Sequence, residues 1–130
     1  MLESEILTIL REPIGIGARV GEIADQFRDG RDVSHLLGLL DSKHADVVSI
    51  GAWILGEIHF ELYDSITFLD RLRVLLDHED PSVRFHALGA LFPALNREDP
   101  DTHALLARLA SDPNEGVRLS AKAAAARLGV

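Results

Sequence analysis

The chain is expected to be all-α, a right-handed α-solenoid of about four stacked helical hairpins, and three observations lead there. A segment recurs: Leu75-Leu76-Asp77-His78-Glu79-Asp80-Pro81-Ser82-Val83-Arg84, then Ala87, Ala90 and Leu91, returns as Leu109-Ala110-Ser111-Asp112-Pro113-Asn114-Glu115-Gly116-Val117-Arg118, then Ala121, Ala124 and Ala125. The same frame fits upstream, where Leu39-Leu40-Asp41 precede Val47, Gly51, Ile54 and Leu55, so the equivalent valines 47, 83 and 117 are 36 and 34 residues apart. Within a segment the apolar residues fall at helical spacing. A unit of that length cannot bury its own apolar face, and only stacking on its neighbours gives it a core.

Eight helices are predicted, over residues 2–11, 16–29, 32–41, 46–61, 65–77, 81–95, 101–111 and 114–128. They pair into hairpins at about 1–30, 31–62, 63–96 and 97–130 of a single domain, 1–130. Pro13, Gly15 and Gly17 break the turn of the first hairpin, the least regular of the four. Its Gly21-Glu22-Ile23 still matches Gly56-Glu57-Ile58 at a step of 35, as expected of a divergent capping repeat. In the second hairpin Val47, Ile50, Gly51, Ile54, Leu55 and Ile58 form one apolar stripe, predicted to face the core. The next two hairpins carry Asp80-Pro81 and Asp99-Pro100, each an N-cap before a proline at the first helical position, where the missing N–H costs nothing. Small residues at 51, 87 and 121 allow close helix approach, and the alanine-rich last helix suits a terminal repeat.

At 130 residues the chain is long enough for one core. Without cysteine it has neither disulfides nor thiolate-bound zinc. Met1-Leu2-Glu3-Ser4-Glu5 is acidic where a secretory leader would be basic, and no apolar run approaches the ~20 residues of a membrane span, so a cytoplasmic location is expected. The net charge of −8 is uneven: residues 1–65 hold 12 acids and 5 bases, net −7, and residues 66–130 hold 9 and 8, net −1. Such a field disfavours direct nucleic-acid binding and favours a basic protein partner.

Outside the core stripe the predicted second helices still carry large side chains: Trp53, Glu57, Phe60 and Glu61, then Phe85, Leu88 and Phe92, then Leu119. Aromatic anchors with an acidic rim are the composition of a protein interface. Arg84 and Arg118 occupy equivalent places and are expected to bond loop carboxylates between repeats, with Asp77, Asp80, Asp112 and Glu115 nearby and Arg84–Asp77 the pairing to test.

The Asp-Pro shortly before Val-Arg, followed by small residues at helical spacing, resembles the HEAT repeats of bacterial proteins, including the short form found in phycobilisome lyases, over about residues 32–130. The resemblance implies that second helices line the concave face. The partner-binding residues are then Trp53, Glu57, Phe60, Glu61, Asp64, Phe85, Leu88 and Phe92. HEAT-type hydroxylases hold iron on His-Glu pairs after Val-Arg, but here the aligned pair is Phe85-His86, and the one literal His-Glu, His78-Glu79, falls in a loop. The net charge of −8 opposes the basic groove a HEAT-like DNA glycosylase needs, and the chain is much shorter than the pigment lyases. No catalytic, cofactor or metal residues are expected. Gly51-Ala52-Trp53-Ile54-Leu55-Gly56-Glu57 and Leu76-Asp77-His78-Glu79-Asp80-Pro81-Ser82-Val83-Arg84-Phe85 are similar to stretches of bacterial immunity proteins of contact-dependent and polymorphic toxin systems. That likeness implies an inhibitor that covers a basic, nuclease-like toxin domain; the alternative is a scaffold or adaptor in a bacterial assembly.

Overall fold

The computed structural model describes residues 2–12, 14–58 and 66–130. Among them are eight α-helices: α1 (Leu2–Arg11), α2 (Ile16–Arg28), α3 (His35–Leu40), α4 (Ala45–Glu57), α5 (Ile66–Leu75), α6 (Pro81–Leu91), α7 (Pro100–Leu109) and α8 (Glu115–Leu128). At two ends that differ from expectation, local chemistry accounts for it. Asp32 Oδ1 accepts the Ser34 N–H at 3.0 Å, holding that stretch in a turn so that α3 starts at His35. Pro93 has no N–H and crowds the carbonyl four residues back, so α6 ends at Leu91 and one 3-10 turn, Phe92–Ala94, follows. The part of the predicted fourth helix from residue 59 to 61 lies outside the described residues.

The helices stack as an α-solenoid. The second helices form one row, α2 on α4, α4 on α6 and α6 on α8, while α1 and α3 pack behind α2 and α4, α5 against α6 and α7 against α8. The core runs along the seam between these layers, through Ile6, Leu36, Leu39, Val47, Ile54, Leu55, Leu72, Leu76, Val83, Leu91 and Val117, all buried. Removing such a side chain from water is worth about 1.5–3 kcal/mol. Gly51 permits the closest approach: a Cβ there would lie 2.8 Å from Leu39 Cβ. Ala87 and Ala121 are likewise fully buried. Of the predicted stripe, Ile50 is the exception, half-buried at the edge of the row.

The turns before α4, α6 and α8 share one device. A side chain two residues before the cap accepts the cap's own N–H: Ser42 Oγ from His44 (3.1 Å), His78 Nδ1 from Asp80 (3.0 Å) and Asp112 Oδ1 from Asn114 (2.9 Å). Asp80 then accepts the Ser82 N–H at 2.8 Å, Asp99 that of Asp101 at 2.9 Å and Asn114 that of Val117 at 3.1 Å, the caps expected from Asp-Pro and its equivalent.

Arg84 does bond a loop carboxylate, but the partner is Asp112 rather than Asp77. Its Nε and Nη2 each donate to one Asp112 oxygen at 2.9 Å, across the junction to the next hairpin. Nη1 donates to the carbonyls of His78 (2.7 Å) and Glu79 (3.0 Å), which aims the fork forward. Asp77, one turn of chain away, meets Arg108 at 3.3 Å instead. The Arg84–Asp112 side chains are only 13 % and 7 % exposed. Burial raises the Asp112 pKa, yet the hydrogen bonds from Arg84 and the Asn114 N–H, with the charges of Arg84 and Arg118, outweigh it and hold the carboxyl below the usual range.

Candidate functional site: the groove beside Trp53

Packed against α1, α2, α3 and α6, helix α4 leaves one stripe open. Asp46, Ile50, Trp53 and Glu57 follow at i, i+4, i+7 and i+11, with both acids exposed and the two apolar residues half-buried between them. Beside this stripe Ile16, Gly17 and Val20 of α2, Ser49, Ile50 and Trp53 of α4 and His86 of α6 enclose a mainly apolar groove of about 190 Å³. A side chain at Gly17 would enter open space, so its absence helps keep the groove wide.

His86 is held neutral, because burial lowers its pKa below the ordinary histidine value. The Phe85 ring stands edge-on to it, centroids 5.2 Å apart and planes at 85°. Ser49 and Ser82 share a hydroxyl–hydroxyl hydrogen bond of 2.7 Å that ties α4 to α6 at the groove floor. This set can receive an apolar side chain and offer it a neutral imidazole.

A second groove of about 220 Å³ continues the row between α6 and α8, lined by Leu88, Gly89, Phe92, Ser120, Ala123 and Arg127 among others. The Arg127 guanidinium carbon lies 5.1 Å from the Phe92 ring centroid, a cation–π contact that positions both.

Of the eight residues predicted to bind a partner, Trp53, Phe85 and Phe92 lie along this row of second helices, with Phe85 the most open at 43 %. Glu57 is on the rim and pairs with Arg28 Nη2 at 3.1 Å, so part of its charge is answered within the chain. Leu88 is a correction: at 1 % exposure it is core, because α6 is sandwiched between α4 and α8 and buries a wider arc than one stripe. Phe60, Glu61 and Asp64 lie outside the described residues. Sequence reasoning missed Ile16, Val20, Ser49 and His86 as lining. His86 had a usable signal: the 36-residue step sets it opposite Ile50, the other residue at the stripe's edge.

Among the described residues no cluster of three His, Cys, Asp or Glu is arranged to hold a metal ion, and no helix is long and apolar enough to cross a membrane. Searches of curated proteins and of solved structures returned no significant match. A family model described as HEAT repeats matches residues 33–126, and with it the hairpin stack, the shared turns and the forward-reaching arginine fall into place: the chain belongs to the HEAT-repeat family, whose stacked helices serve as protein-interaction scaffolds.

Proposed function

We propose that this chain binds a basic protein domain across its row of second helices and neutralises it by covering its working surface, as the immunity proteins of toxin systems do. The observation that carries the reading is an apolar groove around Trp53 set in the acidic half of the molecule. Residues 1–65 carry net −7, and Asp46 and Glu57 cap the two ends of the stripe that holds Trp53. The anchor supplies affinity by leaving water, at about 2 kcal/mol or more for a central aromatic. The acidic surround supplies rate, steering an oppositely charged partner toward ~10⁸–10⁹ M⁻¹s⁻¹ at low salt. A scaffold or adaptor would use the same groove for a neutral peptide or helix, without the steering.

The test is capture from the native host with wild type, Trp53→Ala and Asp46→Lys as baits, followed by association kinetics of the captured partner against ionic strength. The expected result is a basic domain whose association slows steeply with salt, with Trp53→Ala raising dissociation and Asp46→Lys lowering the association rate. A partner whose association ignores ionic strength sinks the inhibitor reading in favour of the adaptor. Equal capture by all three baits moves the interface elsewhere.

A further inference from the structure

The groove beside Trp53 is lined by Ile16, Gly17 and Val20 of α2 and by Ile50 and Trp53 of α4, and its polar lining comes from Ser49 and His86. Ser49 is already answered, because its hydroxyl and that of Ser82 bond each other at 2.7 Å. His86 has no such partner. Its ring makes an edge-on contact with Phe85, yet neither ring nitrogen has a hydrogen bond among the described residues, and neither is sealed from solvent. A neutral imidazole presents one donor and one acceptor. An anchor that filled the groove with hydrocarbon alone would strip water from both and return nothing, which erases part of what its burial gains. A hydroxyl carried on an apolar body avoids that loss.

Size narrows the choice. A closed cavity of about 150 Å³ takes up benzene, so a groove of about 190 Å³ suits a single six-membered ring with one small substituent. Serine and threonine are too small to reach the apolar walls, and a lysine or a carboxylate would bring an unpaired charge between Ile16, Val20 and Ile50. A phenol meets both demands, its ring against the aliphatic and indole walls and its hydroxyl donating to the imidazole or accepting from it. The surrounding charge sets what flanks it. Asp46, one turn before Ile50, is exposed and has no ion pair among the described residues, whereas Glu57 at the other end of the stripe is already met by Arg28 at 3.1 Å. A cation beside the phenol therefore finds its free partner at the Asp46 end.

We propose that the groove is a tyrosine pocket: a protein partner inserts one tyrosine side chain, its ring against Trp53 and the aliphatic walls and its hydroxyl hydrogen-bonded to His86, with a lysine or arginine close in sequence reaching Asp46. This rests on the reading of the groove as the partner-binding face, and it holds for inhibitor and adaptor alike.

Heteronuclear NMR of the isotopically labelled chain tests it without the native partner, using the acetylated and amidated peptide Arg-Ala-Tyr-Ala-Arg and its phenylalanine counterpart as probes. Trp53 is the only tryptophan, so its indole N–H signal reports on the groove. The tyrosine peptide is expected to move that signal saturably and to bind about 3- to 10-fold more tightly than the phenylalanine peptide, the net worth of one hydrogen bond. His86→Leu should bind the two peptides alike, His86→Gln, which keeps a donor and an acceptor, should retain part of the preference, and Asp46→Asn should weaken both peptides to the same degree. The wild-type comparison decides even where a His86 variant fails to fold: a phenylalanine peptide that binds as tightly overturns the proposal. A preference that survives His86→Leu overturns it too, as does a tyrosine peptide that fails to bind or leaves the Trp53 signal unmoved. Loss of native-partner capture in Trp53→Ala would in each of those cases still uphold the groove as the interface, so the two readings fail separately.

Discussion

The junction between the second and third hairpins and the junction between the third and fourth do the same task by different chemistry. At the first, α4 meets α6 with Gly56 against the Ala90 backbone, Leu55 and Leu91 fully buried and Ser49 bonded to Ser82. The positions that would make a clamp there are Val48 and His78, and Val48 is 1 % exposed. At the second junction α8 brings mainly alanine, with Ala121 and Ala124 buried, and the Arg84–Asp112 fork spans the gap. A repeat can hold its neighbour by apolar area, or, where the side chains are too small to supply that area, by a directional polar clamp. The cost of a broken contact should differ accordingly.

The largest effects belong to the apolar junction. Leu55→Ala is expected to cost about 3–5 kcal/mol, transfer plus cavity, in urea unfolding. Ala124→Gly, at the alanine-lined junction, should cost only about 1 kcal/mol, mostly helix propensity. Equal costs would mean that the two junctions do not differ as described. Next comes the clamp: Arg84→Ala strands a buried carboxylate and should cost about 3 kcal/mol. A double-mutant cycle should couple Arg84 to Asp112 by more than about 1 kcal/mol and leave Arg84 and Asp77 additive; coupling of Arg84 to Asp77 would contradict the observed pairing.

Titration separates the two junctions by pH. Because Asp112 holds its proton less tightly folded than unfolded, its stabilisation is present above the ordinary carboxylate pKa of about 3.9 and is lost as pH falls through the lower folded value. Asp112→Asn should flatten that strongly acidic limb of a stability–pH curve. His86, on α6 beside the α4 stripe, is also lowered, here by burial, so the unfolded chain binds its proton more tightly and stability should begin to fall as pH drops below about 6.5. His86→Gln should flatten that milder limb and leave the Asp112 limb in place. The smallest contrast is in the caps: Asp80→Ala and Asn114→Ala should each cost about 1 kcal/mol, alike at both junctions because the cap is local.

What was legible in the sequence follows the range of the forces. Asp80-Pro81 and Asp99-Pro100 announced their helix starts because a cap is settled within four residues of chain. That Trp53, Phe85 and Phe92 are not fully buried was legible because they break a stripe that can be counted, whereas Leu88 breaks the same stripe and is nonetheless core. No count along α6 alone tells how much of its circumference α8 will cover. Ile50 erred in the opposite direction, a residue in step with the core that opens onto the groove. The choice of Asp112 over Asp77 by Arg84 could not be read either, since both acids are within reach of a long side chain and only the stacking angle of the next hairpin decides.

The sequence by itself determined the order and type of the helices among the described residues and the small residues that let them touch, all consequences of interactions spanning a turn or one repeat. Tertiary structure alone decided which arc of each second helix is left open, that Ile16, Ile50, Trp53 and His86 share one groove, and which carboxylate each arginine grips. Those depend on how one rigid hairpin is rotated against the next, and that rotation is set by the summed packing of the whole interface rather than by any residue in it.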